Sequence, residues 1–248
     1  MLRIEGLTAG YTQVPIIHEV SLECARGSII TIIGPNGSGK STLLKTAVGL
    51  LKPMAGRVVA EDIEITGKPA FRIARSGVGY VPQLNNVFVS LSVVDNLEMG
   101  AFSFKGDVSA RVEEVLASFP DLAAARSKKA GDLSGGQRNL LGVARALMTR
   151  PKILFVDEPT AGLAPMNMRR IWDQLVRIAQ DGTAVIVAEQ NVDMALDHSD
   201  RAYVLVAGVT RLEGVAADVK TADLHALFLG QEAHMEAHND VGVRGRVS

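Results

Sequence analysis

Short stretches of this chain are apolar almost without interruption, and between them apolar residues recur every three or four positions. Residues 29–33 (Ile-Ile-Thr-Ile-Ile), 153–156 (Ile-Leu-Phe-Val), 183–188 and 202–206 are such runs. They predict strands buried on both faces. Residues 78–81 predict another strand, ended by Pro82 and Gln83. Helical spacing appears in Val108, Val112, Val115, Leu116 and Phe119, where Pro120 is expected to stop the run. It returns in Leu140, Leu141, Ala144 and Leu147, and in Ile171, Trp172, Leu175 and Ile178 of a surface helix over 168–179. Ser92, with Asp95 three residues on, marks a capped helix start. Residues 1–28, carrying Leu2, Ile4, Leu7, Val20 and Leu22, read as β-structure with turns. Residues 56–60 and 63–65 read as two short strands about an acidic turn, and Pro69 is expected in the first turn of a short helix over 69–76. A last helix is expected over 222–229. The polar stretch 231–248, with His234 and His238, is expected to be flexible.

Composition narrows the class. The 248 residues suffice for one large domain or a core with a subdomain, and 47% hydrophobic content excludes a disordered chain. A formal net charge of −1 supplies no basic field, so no nucleic-acid partner is expected. Cys24, the single cysteine, can form no internal disulfide. Arg3 and Glu5 stand where a secretion signal would be apolar. No apolar run reaches the ~18–20 residues of a membrane helix. The chain is therefore expected to be soluble and to meet a membrane through a partner.

The candidate chemistry begins after the first buried run. Gly34-Pro35-Asn36-Gly37-Ser38-Gly39-Lys40-Ser41-Thr42 matches G-x-x-x-x-G-K-[ST], the phosphate-binding loop, between a predicted strand and a predicted helix. Its glycines let backbone N–H groups turn inward toward phosphate oxygens, and the helix start adds partial positive charge. Lys40 brings a full charge to the β- and γ-phosphates, the Ser41 hydroxyl can ligate Mg²⁺, and Thr42 is expected to add a hydroxyl near the α-phosphate. Tyr11 offers an aromatic face for a nucleotide base, or is an ordinary half-buried tyrosine. Gln83 lies at a strand end, where α/β proteins place ligand groups, although a lone glutamine is more often a solvated loop residue. Ser134-Gly135-Gly136-Gln137 opens a helix and offers a second anion-binding geometry, or a loose cap. Asp157 and Glu158 end the most apolar strand. Adjacent residues of an extended chain point to opposite sides. Asp157 is thus expected to face Mg²⁺ while Glu158 orients or deprotonates a water.

The phosphate loop, Gln83, Leu133-Ser134-Gly135-Gly136-Gln137 and residues 153–158, in this order, resemble the nucleotide-binding subunit of an ATP-binding-cassette transporter over about residues 2–230. Ala161-Gly162-Leu163-Ala164-Pro165, Ala188-Glu189-Gln190-Asn191 and Tyr203-Val204-Leu205 look like the smaller ATPase subunit of branched-chain amino acid importers. Urea and short-amide importers carry closely similar subunits. Two positions depart from the wider family: Ala164 stands where most members have aspartate, and Gln190 where most have histidine.

The resemblance implies an α/β fold: a phosphate-loop NTPase core with a parallel sheet, an antiparallel β-subdomain, and a helical insertion at about 85–145 within a cassette domain spanning 1–230. It implies ATP and Mg²⁺ as ligands. Tyr11 would stack on adenine and residues 34–42 would hold the phosphates. Ser41, Gln83 and Asp157 would arrange the metal, and Glu158 would polarise the attacking water. Lys40, Gln83 and Gln190 would assist catalysis, while Ser134 and Gly136 would reach the γ-phosphate held by a second cassette, with Gly135 and Gln137 also among the nucleotide-binding residues. The implied partners are that cassette, two membrane permease subunits and, indirectly, an extracytoplasmic solute-binding protein. The implied place is the cytoplasmic face of the inner membrane. Two rival readings stand beside it: a soluble cassette ATPase of the cluster-assembly kind, and a regulatory nucleotide-binding subunit with little turnover.

Overall fold

In the computed structural model, which describes residues 1–229, two sheets carry the chain. The chain runs β1 (Leu2–Ala9), β2 (Ile17–Cys24), β3 (Ile29–Ile33), α1 (Lys40–Ala47), β4 (Ala55–Ala60), β5 (Ile63–Glu64), α2 (Ala70–Arg75) and β6 (Val78–Val81). Helices α3 (Val93–Gly100), α4 (Val108–Ala117), α5 (Pro120–Ala123) and α6 (Gly135–Leu147) follow, then β7 (Ile153–Asp157) and α7 (Pro165–Gln180). It continues through β8 (Ala184–Glu189), α8 (Val192–Asp197), β9 (Arg201–Val206), β10 (Val209–Val215), α9 (Ala216–Lys220) and α10 (Leu224–Leu229). The smaller sheet is antiparallel, in the order β2-β1-β4-β5; the larger runs β10-β9-β3-β8-β7-β6. Within the larger sheet β9, β3, β8, β7 and β6 are parallel, and β10 closes one edge as an antiparallel hairpin on β9.

The uninterrupted apolar runs exist because the larger sheet is covered on both faces. Side chains alternate across a strand, so each run divides between two cores. Ile30 and Ile32, Ile153 and Phe155, and Ala184, Ile186 and Ala188 join β1, β2, β4 and α1 on one face. Ile29 and Ile33, Leu154 and Val156, and Val185 and Val187 join the helices on the other, with Trp172 of α7 fully buried among them. The parallel arrangement also sends the carboxyl ends of β3, β6, β7 and β8 to one edge, where α/β sheets bind ligands. The phosphate loop, Gln83, Glu158 and Gln190 follow those four ends.

Some local expectations shift. Ser92 does cap α3, accepting from Asp95 N at 3.1 Å while Asp95 Oδ2 accepts from Ser92 N at 3.1 Å. Pro69 stands at the N-cap of α2 rather than within its first turn. Pro120 does not simply stop a helix: α4 already ends at Ala117, and Pro120 opens α5, because its missing N–H is no loss in a first turn. Strand β10 and helices α8 and α9 were not anticipated. The expectation of a flexible 231–248 lies outside the described residues.

Candidate nucleotide site

The loop after β3 is shaped by two glycines whose places admit nothing larger. Gly39 adopts φ +102, and a Cβ there would stand 2.6 Å from Ile17 Cγ2; a Cβ on Gly34 would collide with the Leu205 carbonyl oxygen. The turn therefore packs tightly while its N–H groups stay free of side chains. Lys40, 4% exposed, donates from Nζ to the carbonyls of Gly34 at 2.8 Å and Pro35 at 3.0 Å. Burial lowers its pKa, and Glu158, whose Oε1 lies 3.6 Å from Nζ, opposes that shift. The buried Ser38 hydroxyl has no protein partner. Tyr11, 57% exposed, shares one cavity with Ser38, Gly39, Lys40, Ser41, Thr42 and Glu158. Lys45 Nζ stands 5.7 Å from the Tyr11 ring centroid and donates to its hydroxyl at 3.2 Å.

The acidic pair differs in conformation from the extended geometry that the sequence suggests. The strand stops at Asp157, and Glu158 turns to φ +44, its N–H bonded to the Ala188 carbonyl at 2.9 Å. Strand alternation therefore does not aim the two carboxylates. A left-handed turn does, at a conformation unusual for a residue with a side chain. Asp157 accepts from Ser41 Oγ at 2.9 Å on Oδ1 and from the Tyr80 hydroxyl at 3.3 Å on Oδ2. Burial raises the Asp157 pKa, with the Ser41 bond opposing and the neighbouring Glu158 charge adding to the rise. Burial and Asp157 together raise the Tyr80 phenol.

Glu158 is gripped from both sides. Gln83 Nε2 and Gln190 Nε2 each donate to Glu158 Oε2 at 2.6 Å. The strand order β8-β7-β6 explains this: residues beyond the ends of β8 and β6 flank the residue beyond β7. The amide nitrogen of Gln83 is thus engaged by Glu158, which leaves its carbonyl oxygen as the atom open to a metal or water. Gln190 is held by Glu189, 2% exposed, which accepts from Gln190 N at 3.0 Å, Thr160 Oγ1 at 2.5 Å and Thr160 N at 3.1 Å. Burial raises the Glu189 pKa against these bonds.

Ser134, Gly136 and Gln137 line a separate cleft with Asn167 and Arg170. Ser134 caps α6: its Oγ accepts from Gln137 N at 3.3 Å, and Gln137 Oε1 accepts from Ser134 N at 3.1 Å. The chain thus brings Tyr11, residues 37–42, Asp157, Glu158, Gln83 and Gln190 into one neighbourhood and keeps the 134–137 turn apart from it. Sequence reasoning missed Tyr80, Thr160 and Glu189. A tyrosine inside a strand otherwise built of valine and glycine was the one available signal, since a buried phenol needs a partner.

A phosphate and a divalent cation suit these groups. The loop offers a cationic side chain, a helix N-terminus and an unpartnered hydroxyl. Among the described residues no cluster of three or more His, Cys, Asp or Glu could hold a metal by itself. Mg²⁺ is commonly held by one or two protein oxygens together with phosphate and water; Ser41 and Asp157 bring two such oxygens together.

Fold and site together define a phosphate-loop nucleotide-binding protein. Its family follows from likeness to known proteins: the family model described as ABC transporter matches residues 17–161. The chain belongs to the ABC transporter family. It is 40% identical over 221 residues to the probable branched-chain amino acid transport ATP-binding protein LivF of Archaeoglobus fulgidus, covering 88% of this chain and 94% of that one. It is 39% identical over 209 residues to the high-affinity branched-chain amino acid transport ATP-binding protein BraG of Pseudomonas aeruginosa, covering 84% and 90%. Among solved structures it resembles the dimeric post-hydrolysis state of the ATP-binding cassette MJ0796 bound to ADP and Pi. That match has TM-score 0.78 at 26% identity and covers 87% of this chain and 99% of the other.

Proposed function

We propose that this chain is the ATP-hydrolysing subunit of an importer for branched-chain or related small amino acids, working on separate membrane permeases. The transport roles named for LivF and BraG, matched over nearly their whole lengths, support the solute class. One observation carries the hydrolytic half: the Glu158 carboxylate, held by Gln83 and Gln190, stands 3.6 Å from Lys40 at the lip of the phosphate loop.

In this reading Tyr11 stacks on adenine, and the N–H groups of residues 34–42 with Lys40 hold the phosphates. Ser41 and Asp157, with the Gln83 carbonyl oxygen, would hold Mg²⁺, which would neutralise charge developing on the phosphate oxygens. Glu158 accepts a hydrogen bond from the attacking water. Its two amide partners fix its direction without adding charge, since an amide donates but carries no formal positive charge. Lys40 meets negative charge growing on the γ-phosphate, so positioning and a preset field do most of the work. The 134–137 turn serves a second cassette, in keeping with the dimeric form of MJ0796. The γ-phosphate bound by one chain lies between that loop and the partner's turn.

No helix among the described residues is long and apolar enough to cross a membrane. The cassette pair works from the cytoplasmic face of the inner membrane, against two permease subunits supplied by an extracytoplasmic solute-binding protein. Exposed Phe88, Met99 and Phe102 line a groove, with Arg145 beside Phe88, that offers the permeases an apolar seat.

Glu158→Gln tests the reading. It keeps size and hydrogen-bonding reach and removes the charge, so turnover should fall about 10²–10⁴-fold. ATP affinity by calorimetry should hold or rise, since Lys40, Ser41 and Asp157 remain. Near-normal turnover would remove Glu158 from catalysis and favour a regulatory role.

A further inference from the structure

Tyr80 belongs to two places at once. It lines the groove that also holds Phe88, Met99, Phe102 and Arg145. Its hydroxyl donates to Asp157 Oδ2 at 3.3 Å, while Ser41 occupies Oδ1 at 2.9 Å. Among the described residues these two hydroxyls are the only hydrogen-bond donors to that carboxylate. Each oxygen thus has one donor, and the pair sets the angle of the carboxylate about its Cβ–Cγ bond. The reach follows from register: Tyr80 on β6 pairs with Phe155 on β7, two residues before Asp157, so a phenol leaning along the strand arrives at the carboxylate diagonally. Tyrosine also suits a strut, because its ring is rigid and only two torsions move it.

We propose that Tyr80 is a positioning residue that ties the direction of Asp157 to the permease segment seated in the groove. This rests on the reading of Asp157 as the metal-holding carboxylate. A side chain entering beside Phe88 and Met99 meets one end of the phenol, and the other end is bonded to Asp157. A shift of the ring therefore alters the carboxylate that receives the cation.

The test measures metal binding directly. Mn²⁺, a paramagnetic substitute for Mg²⁺, is titrated into the full chain with a non-hydrolysable ATP analogue and followed by electron paramagnetic resonance. Tyr80→Phe keeps the ring and removes the hydroxyl. It should weaken Mn²⁺ binding roughly tenfold, the low end of the 10–100-fold cost of losing a partner of a metal-binding side chain, with the melting temperature and the metal-free affinity for the analogue unchanged. In the second arm Met99→Cys is labelled with a bulky maleimide; the native thiol, Cys24, is buried. The label should change Mn²⁺ affinity when Tyr80 is present and have no effect in the Tyr80→Phe background. Unchanged Mn²⁺ affinity in Tyr80→Phe overturns the proposal, as does an equal response to the label in both backgrounds. Asp157→Asn separates the two levels. If it also leaves Mn²⁺ binding intact, the metal reading of the site has failed; if it abolishes binding while Tyr80→Phe does not, only the role of Tyr80 falls.

Discussion

The surroundings of Asp157 disfavour its ionic form. Burial lifts its pKa above the ordinary ~3.9 of an aspartate. The folded chain then binds this proton more tightly than the unfolded chain, and ionisation at neutral pH costs stability. That cost is nil below the unfolded value, grows between the unfolded and folded values, and is complete above the folded one. Asp157→Asn should therefore raise the melting temperature of the nucleotide-free protein at pH 7. The rise should shrink as pH falls toward the unfolded value of about 4 and be absent below it. Calorimetric scans at two pH values check this. Tyr11 carries a second expectation. Tyr11→Ala should weaken nucleotide binding by about 1–3 kcal/mol if the ring stacks on the base. Tyr11→Phe should be nearly silent, because among the described residues the hydroxyl meets only Lys45, on an exposed surface. Isothermal titration of both variants decides, and equal damage would exclude stacking. The individual residues of the site were legible because the phosphate loop and the acidic pair are contiguous in sequence. What spacing could not give was the aim of Glu158. That depends on a left-handed turn and on Gln83 and Gln190, which meet only because β6 and β8 flank β7.

At the scale of elements, the Ser134 turn is a helix cap and is proposed to bind an anion, and substitutions can pull the two apart. Ser134→Ala removes the cap bond to Gln137 N and should cost about 1 kcal/mol of stability. Ser134→Asp keeps an oxygen at the cap and adds negative charge, so the melting temperature should hold while ATP turnover collapses. Thermal melts and turnover on the same preparations check this, and retained turnover in Ser134→Asp would reduce the turn to a cap. The larger sheet was easy to read in the sequence because strands covered on both faces become apolar at every position. Strand β10 was not, for the converse reason. It lies at the sheet edge, none of its residues is fully buried, and Thr210, Arg211 and Glu213 break up its apolar positions. Helix α8 escaped because six residues are too few for a helical period to declare itself.

If the phosphate-loop cleft and the 134–137 cleft are the two halves of one site, as proposed, the molecule should work as a pair. With hydrolysis blocked by Glu158→Gln, ATP should persist between two cassettes, and size exclusion should show a dimer with ATP and a monomer without it. If the chain needs a different cassette as its mate, the dimer should form only when that mate is mixed in. The strand order bears also on how the molecule comes into being. Strand β3, which ends in the phosphate loop, lies between β8 and β9, and the turn after β9 is stitched to that loop by a bond from Gly208 N to the Ser38 carbonyl at 3.0 Å. A ribosome adding ~5–20 residues per second needs roughly 10–35 s to pass from the loop to that turn. For most of that interval the nascent chain displays one of its most apolar segments with neither neighbour made. Nucleotide therefore has no finished site to template until nearly the last strand has emerged.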